Sequence, residues 1–286
     1  MGWVQQLGLW GAIFVPSMVI GQATQLLLCG GGIEPTTAIK EFVHRAGDER
    51  AQILFIGFSA SYPEESGASF RETIESVLLK QNLVQESPML SPAYDKAGKR
   101  IYNEDLEPQF VEELSDTQQK QLLLQLETAT AVWLSGGIQD RFMRMMGRYP
   151  EIKKALLNFF HSGKIIGGTS AGAAVAAAVM VTASQAKNSF WQMPGMGFIG
   201  AVVDQHLFYR DRVERFRASV NEYKNRVRYG IGIDEDGAVL VTNGNRFSVM
   251  EGGTDALLID TRSAKNGQMS EIRLKPGDEF VLPAIE

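Results

Sequence analysis

The sequence predicts an α/β fold, with a mostly parallel central sheet flanked by helices and a β-rich C-terminal part. Three observations carry that expectation. Short, fully apolar runs alternate with amphipathic stretches through the first two thirds of the chain, several of those runs end in clustered glycines, and short apolar runs follow in close succession after Tyr229. Strands of a parallel sheet read as continuous apolar runs because helices cover both faces. At 286 residues and 44% hydrophobic, the chain is long and apolar enough to bury one large core, expected over residues 24–286.

The elements follow in order. Leu26 to Cys29 is an apolar run ended by Gly30-Gly31-Gly32, and Thr36 to Ala46 has helical spacing. Gln52 to Phe58 repeats the strand signal and Ser66 to Leu79 the helix signal. Gln85 to Gln109, rich in Pro, Ser and charge, reads as an excursion with one short hairpin. Ser115 and Gln118 then form a capping box for a helix running to about Ala129. Ala131 to Leu134 is a strand ending at Ser135-Gly136-Gly137, followed by helical segments through Phe160 and a strand at Lys164 to Ile166. A helix is expected over the small-residue run Ala171 to Ala178, and further strands at Phe247 to Met250, Ala256 to Ile259 and Glu279 to Leu282.

Composition narrows the function. A net charge of -5 and a pI near 5.4 argue against a nucleic-acid partner, which calls for clustered Lys and Arg, and leave a small molecule or peptide as the expected ligand. The single cysteine, Cys29, excludes an internal disulfide and a cysteine metal cluster, and reads as a small buried apolar residue. Met1 to Ile33 carry no charge, and Leu7 to Ile20 has the length of a signal-peptide core followed by the small-x-small pattern Gly21-Gln22-Ala23. Residues 1–23 therefore read as a secretory leader, with export to a secreted or periplasmic location. The missing basic residue before the core is its weak point, and Pro16 and the short length argue against a spanning helix.

The candidate nucleophile is Ser170 in Gly168-Thr169-Ser170-Ala171-Gly172. A sharp strand-to-helix turn pushes such a serine out of the sheet, and glycines two residues to either side avoid a clash. The N–H of Ala171, at the start of the next helix, is the expected oxyanion donor. The chain offers three histidines as general base. His44 lies among Glu41, Arg45 and Asp48 on a helix surface, and His161 ends a helix before Ser162-Gly163. His206 remains, at the end of the apolar run Val202-Val203-Asp204-Gln205. No Asp or Glu lies between Ala171 and Val203, so the acid is either Asp204, two residues from the base, or one of the cluster after Gly230-Ile231-Gly232-Ile233. Glu235 is the better candidate there, with Asp234 and Asp236 expected on the opposite face.

These motifs together resemble the cyanophycinases, within the wider peptidase family that also holds the aspartyl dipeptidases. The likeness rests on Gly167 to Ala173, Ser135-Gly136-Gly137-Ile138-Gln139, Asp204-Gln205-His206 and Gly230 to Glu235, and runs from about Leu26 to the C-terminus. It implies a fold related to class I glutamine amidotransferases, a Ser-His-Glu mechanism with no metal or cofactor, and a homodimer. By motif position it implies Ser170 as nucleophile, His206 as base, Glu235 as acid and the Gly137 N–H as second oxyanion donor. It further implies Gln139, Asp204, Gln205 and the arginines of Arg210-x-Arg212-x-x-Arg215 as the substrate site. Guanidinium forks suit the free carboxylates of a β-aspartyl substrate. Asp211, Glu214 and Ile138 depart from the family pattern near that site. The expected substrate is cyanophycin, a polymer of β-linked Asp-Arg units, or a related β-aspartyl peptide. The alternatives are an α-aspartyl dipeptidase and a non-catalytic binding protein on the same scaffold.

Overall fold

The computed structural model describes residues 23–78, 83–88, 90, 113–183, 190–265 and 268–283, and these build two sheets. The first begins with strands β1 (Gln25–Cys29), β2 (Ile53–Ile56), β3 (Val84–Glu86), β4 (Ala131–Leu134) and β5 (Ile165–Thr169), which lie parallel in the order β1-β5-β4-β2-β3. The second opens with β6 (Ala177–Ala183), β7 (Phe190–Pro194), β8 (Ile199–Gln205) and β9 (Tyr229–Ile233). The chain returns to the first sheet for β10 (Ala238–Thr242) and β11 (Arg246–Val249), to the second for β12 (Ala256–Lys265) and β13 (Gln268–Leu274), and closes on the first with β14 (Glu279–Val281).

The expected parallel sheet is the five-strand run β1-β5-β4-β2-β3, and the finding beyond it is that both sheets are mixed. In the first sheet β10, β11 and β14 are added antiparallel beyond β1. The second sheet is mixed as well, in the order β13-β12-β9-β8-β6-β7. Part of the cause is local: Asn243 and Gly244 both take positive φ, 54° and 65°, the geometry that folds consecutive strands back as a hairpin.

The helices are α1 (Thr36–Ala46), α2 (Pro63–Leu78), α3 (Asp116–Thr128), α4 (Gln139–Arg148), α5 (Pro150–His161), α6 (Ala171–Val175) and α7 (Val213–Tyr223). Helix α1 stops at Gly47, whose φ of 108° lets its N–H reach back to the last carbonyls. Helix α3 starts at the reciprocal capping box of Ser115 and Gln118. Two differences from the expected elements stand out. Helix α6 ends at Val175, because Val179, Val181 and Thr182 favour strand and pair with β7 and β8. Strand β3 (Val84–Glu86) runs into the start of the expected excursion, pairing parallel to β2. Residues 1–22 of the expected leader and residues 91–109 of the excursion lie outside the described residues.

One face of the first sheet, with Leu27, Cys29, Ile53 and Trp133, packs against Ile39, Phe42 and Phe70 of α1 and α2. The opposite face shares one apolar core with α4, α5, α6 and the inner face of the second sheet, where Val203, Tyr229 and Ile231 are buried. Helix α7 covers the outer face of the second sheet through Phe216 and Val220. Burying such side chains contributes about 1.5–3 kcal/mol each. Gly230 and Gly232 admit that helix closely, since a Cβ at Gly230 would fall 2.2 Å from Val220 and one at Gly232 would fall 3.2 Å from Phe216. The junction of the two sheets, at the C-terminal ends of β1, β5, β8 and β9, is where the candidate residues meet.

Candidate active site

Strand β5 runs through Gly167 and Gly168 to Thr169, and Ser170 turns the chain into α6 with φ 50° and ψ −111°. A side-chain-bearing residue in that region carries strain of order 1–3 kcal/mol. Both flanking glycines are sterically required: a Cβ at Gly168 would sit 2.7 Å from the Gly172 carbonyl, and one at Gly172 would sit 2.1 Å from the Leu134 oxygen. The elbow is held on its other side by the Ser170 N–H, which donates to the Cys29 carbonyl at 2.9 Å.

The serine does not stand alone. Its Oγ lies 2.7 Å from His206 Nε2, and His206 Nδ1 lies 2.6 Å from Glu235 Oε1. With a carboxylate facing Nδ1, that nitrogen carries the proton and donates it to Glu235, which leaves Nε2 to accept from the serine hydroxyl. Burial is the main cause that lowers the His206 pKa below the ordinary imidazole value. The Arg210 charge adds to it and the Glu235 hydrogen bond opposes it. The imidazole is thus neutral near pH 7 and able to take a proton.

His206 follows β8 and Glu235 follows β9, and these neighbouring parallel strands bring the two residues together. The competing acids are used elsewhere. Asp234 Oδ1 accepts from the Phe208 and Tyr209 N–H groups, and Asp236 Oδ1 accepts from the Ile33 N–H. His44 pairs with Asp48 on the surface, and His161 ends α5.

Ala171 is the first residue of α6, and Gly137 has a φ of 125°. Among the described residues neither N–H has a partner. Gly136 lies against Ser170, with its Cβ position 3.5 Å from the Ser170 Cβ. The loop of Gly137 is backed by Ser59: a Cβ at Gly137 would be 2.0 Å from the Ser59 carbonyl oxygen, which accepts the Ile138 N–H at 2.7 Å.

The residues implied for substrate binding divide into two groups. Gln139 is nearly buried and donates through Nε2 to the Val181 carbonyl, and Gln205 is buried with an Oε1 that has no partner among the described residues. Arg210 is half exposed and reaches within 3.6 Å of Glu235 Oε1. By contrast, Asp204 is wholly buried and bound bidentately by Arg215. In this arrangement the Asp204 carboxylate has no exposed surface. Burial raises the Asp204 pKa and the Arg215 guanidinium opposes the shift. Arg212 donates to the Gln205 carbonyl, and its own pKa is brought down to about 10, first by burial and then by the Arg215 charge. Glu214 turns to Arg217 at 2.6 Å.

One part of the site was not anticipated. Gly30-Gly31-Gly32 appears in the sequence as a strand end, yet it is the hub between the three elements. The Gly30 carbonyl accepts the His206 N–H, the Gly31 carbonyl accepts the Asp236 N–H, and a Cβ at Gly31 would lie 2.2 Å from His206 Cε1. Three successive glycines after the first strand, where an open sheet places ligand groups, were the available signal.

A serine on a strained strand-to-helix elbow, in line with an imidazole and a carboxylate, is the constellation of serine hydrolases. The model of Peptidase family S51 matches residues 89–249, more than half of the chain, and the chain belongs to that family. It is 29% identical over 159 residues to a cyanophycinase of Synechococcus elongatus, covering 54% of this chain and 48% of that protein. It is 27% identical over 248 residues to a cyanophycinase of Trichormus variabilis (strain ATCC 29413 / PCC 7937), covering 83% of this chain and 74% of that protein. The chain thus spans about half the length of the first of these relatives and about three quarters of the second. In fold it is similar to the crystal structure of a peptidase from an acI-B1 Actinobacterium, with a TM-score of 0.60 at 15% identity over 92% of this chain and 98% of that one.

Proposed function

We propose that this protein is a serine-type peptidase that hydrolyses cyanophycin or a related β-aspartyl peptide into dipeptides. The observation that carries the reading is the continuous relay of 2.7 Å and 2.6 Å from the Ser170 hydroxyl through His206 to Glu235, set on the elbow. In the proposed cycle Ser170 Oγ attacks the amide carbonyl while His206 Nε2 takes its proton. The oxyanion is held by the N–H groups of Ala171 and Gly137. His206 returns the proton to the leaving amine, which departs and leaves an ester on Ser170. Water, deprotonated by His206, then releases the acyl half and restores the serine. Glu235 keeps the imidazole in the tautomer this requires.

The substrate class rests on the cyanophycinase relatives and on the half-exposed Arg210 beside the relay, whose fork is suited to a free carboxylate. The same resemblance supports a homodimer and a fold akin to class I glutamine amidotransferases as parts of this proposal, and the uncharged apolar run Leu7 to Ile20 supports export by the N-terminal leader.

The test is digestion of cyanophycin with product identification, using wild-type and Ser170→Ala protein. Release of β-Asp-Arg by the wild type, and its loss in Ser170→Ala, is the expected result. Wild-type activity in Ser170→Ala would overturn the mechanism. Release of Asp from α-linked Asp-X dipeptides with no action on the polymer would overturn the substrate.

A further inference from the structure

The three arginines after His206 invite one common role, as a pocket for substrate carboxylates. The geometry points to a division: we infer that Asp204, Arg215 and the Nη1 contact of Arg212 form an internal brace that positions the base His206, and that Arg210, half exposed, is the arginine of the three most open to substrate. The inference concerns the same site as the proposed peptidase reading and rests on it for the identity of the base.

Both oxygens of the fully buried Asp204 are committed. Oδ2 accepts from Arg215 Nε at 2.8 Å, and Oδ1 accepts from Arg215 Nη2 at 2.5 Å and from the Gln205 N–H at 2.9 Å. The Nε–Nη2 edge of Arg215 is the edge a guanidinium uses to fork a carboxylate, and here it already holds one. Arg212 Nη1 donates to the Gln205 carbonyl at 2.9 Å. Gln205, the residue just before the base, is therefore gripped at its N–H by Asp204 and at its carbonyl by Arg212.

Directly after the gripped Gln205, the backbone of His206 takes a φ of 53°. Left-handed backbone at a residue with a Cβ persists only where its surroundings over-determine it. The brace is in turn rooted in α7. Arg212 caps that helix and its carbonyl accepts the Phe216 N–H, the Arg215 carbonyl accepts the Ser219 hydroxyl, and Phe216 and Val220 pack over Gly230 and Gly232 of β9, the strand that leads to Glu235. The brace thus references base and acid to one helix. Arg210 lies outside it, half exposed, with its guanidinium toward Glu235.

A brace and a binding pocket respond differently to a probe that carries no carboxylate. An uncharged fluorophosphonate, which bonds its phosphorus to Ser170 Oγ and expels fluoride as His206 takes the serine proton, reads the base without reading substrate recognition. The variants are Arg215→Lys, which keeps the charge and loses the fork, and the double change Asp204→Leu with Arg215→Met, which removes both buried charges and so leaves neither unpaired. The labelling rate is expected to fall about 100-fold in the double variant, the usual cost of a reacting group misplaced by about 1 Å. The loss in Arg215→Lys should be smaller. KM for a peptide substrate should stay within about threefold of wild type while kcat falls, as for an interaction made only in the transition state. The low-field proton resonance of the His206 Nδ1–H bond to Glu235 should shift in both variants. Wild-type labelling with a raised KM would assign these residues to substrate and overturn the brace. Absence of labelling in the wild type itself would refute the peptidase reading instead, and the resonance would still decide: an unshifted signal in the double variant overturns the brace.

Discussion

Replacement of Gly31 by alanine puts the geometry of the site to a direct test. The added Cβ would lie 2.2 Å from His206 Cε1, with the two ring nitrogens 2.9 Å away. Carbon atoms meet at about 3.5 Å, so the imidazole or the loop must yield by more than about 1 Å. The loop has little freedom, because the Gly30 carbonyl holds the His206 N–H and the Gly31 carbonyl holds the Asp236 N–H. The ring therefore moves, breaking the alignment with Ser170 or with Glu235, and a displacement of that size costs about 100-fold in rate. The φ of 107° adds backbone strain of about 1–2 kcal/mol to the folded state. Gly252 provides the control: its φ is 77°, but nothing lies within 4 Å of its Cβ position. The assays are fluorophosphonate labelling and thermal melting of both variants. Gly31→Ala should lose both rate and stability, whereas Gly252→Ala should lose only stability. A Gly31→Ala protein that labels at the wild-type rate would show that the imidazole is not confined by this loop, and the reasoning would fail.

The charges and caps carry further expected outcomes. The acid limb of kcat/KM should lie below the ordinary imidazole value of about 6.5, because burial and the Arg210 charge both disfavour imidazolium at His206. Arg210→Ala removes one of those causes, so a pH–rate profile of that variant should show the limb moved upward; a downward move would contradict the sign. The same depression means that the unfolded chain takes the His206 proton more readily than the folded one, so this residue's contribution to stability is lost as pH falls through the ordinary imidazole range. Ser115→Ala removes the acceptor of the Gln118 N–H at the start of α3 and should cost about 1 kcal/mol in a denaturant melt, with labelling unchanged.

Much of the candidate site was legible along the chain because its signals are local or few. The Ser170 elbow announces itself through the two glycines that its own turn requires. His206 emerges because the chain has three histidines and the other two lie on a helix surface and at a helix end. Glu235 could be preferred because the stretch from Ala171 to Val203 contains no acid. The capping box of α3 and the bounds of α1 were readable for the same reason, each being a relation between residues within a turn or two.

The features hidden from the sequence involve partners far apart along the chain. The small residues Ala171 to Ala178 look helical by propensity, yet from Ala177 onward pairing with β7 and β8 claims them for a strand. Asp204 and Arg215 look like two polar groups available to a ligand, until α7 folds over β8 and the two meet in a buried pair. Gly30 to Gly32 look like the end of a strand, until the second sheet brings His206 and Asp236 against them. The amino-acid sequence by itself determined which groups can do chemistry here: a serine on its elbow, one available imidazole and a carboxylate after an apolar strand. Only the tertiary structure decided which of the surrounding charges face the site and which hold it. The choice depends on burial and on which donors are already spent, and both are created when the two sheets and α7 come together.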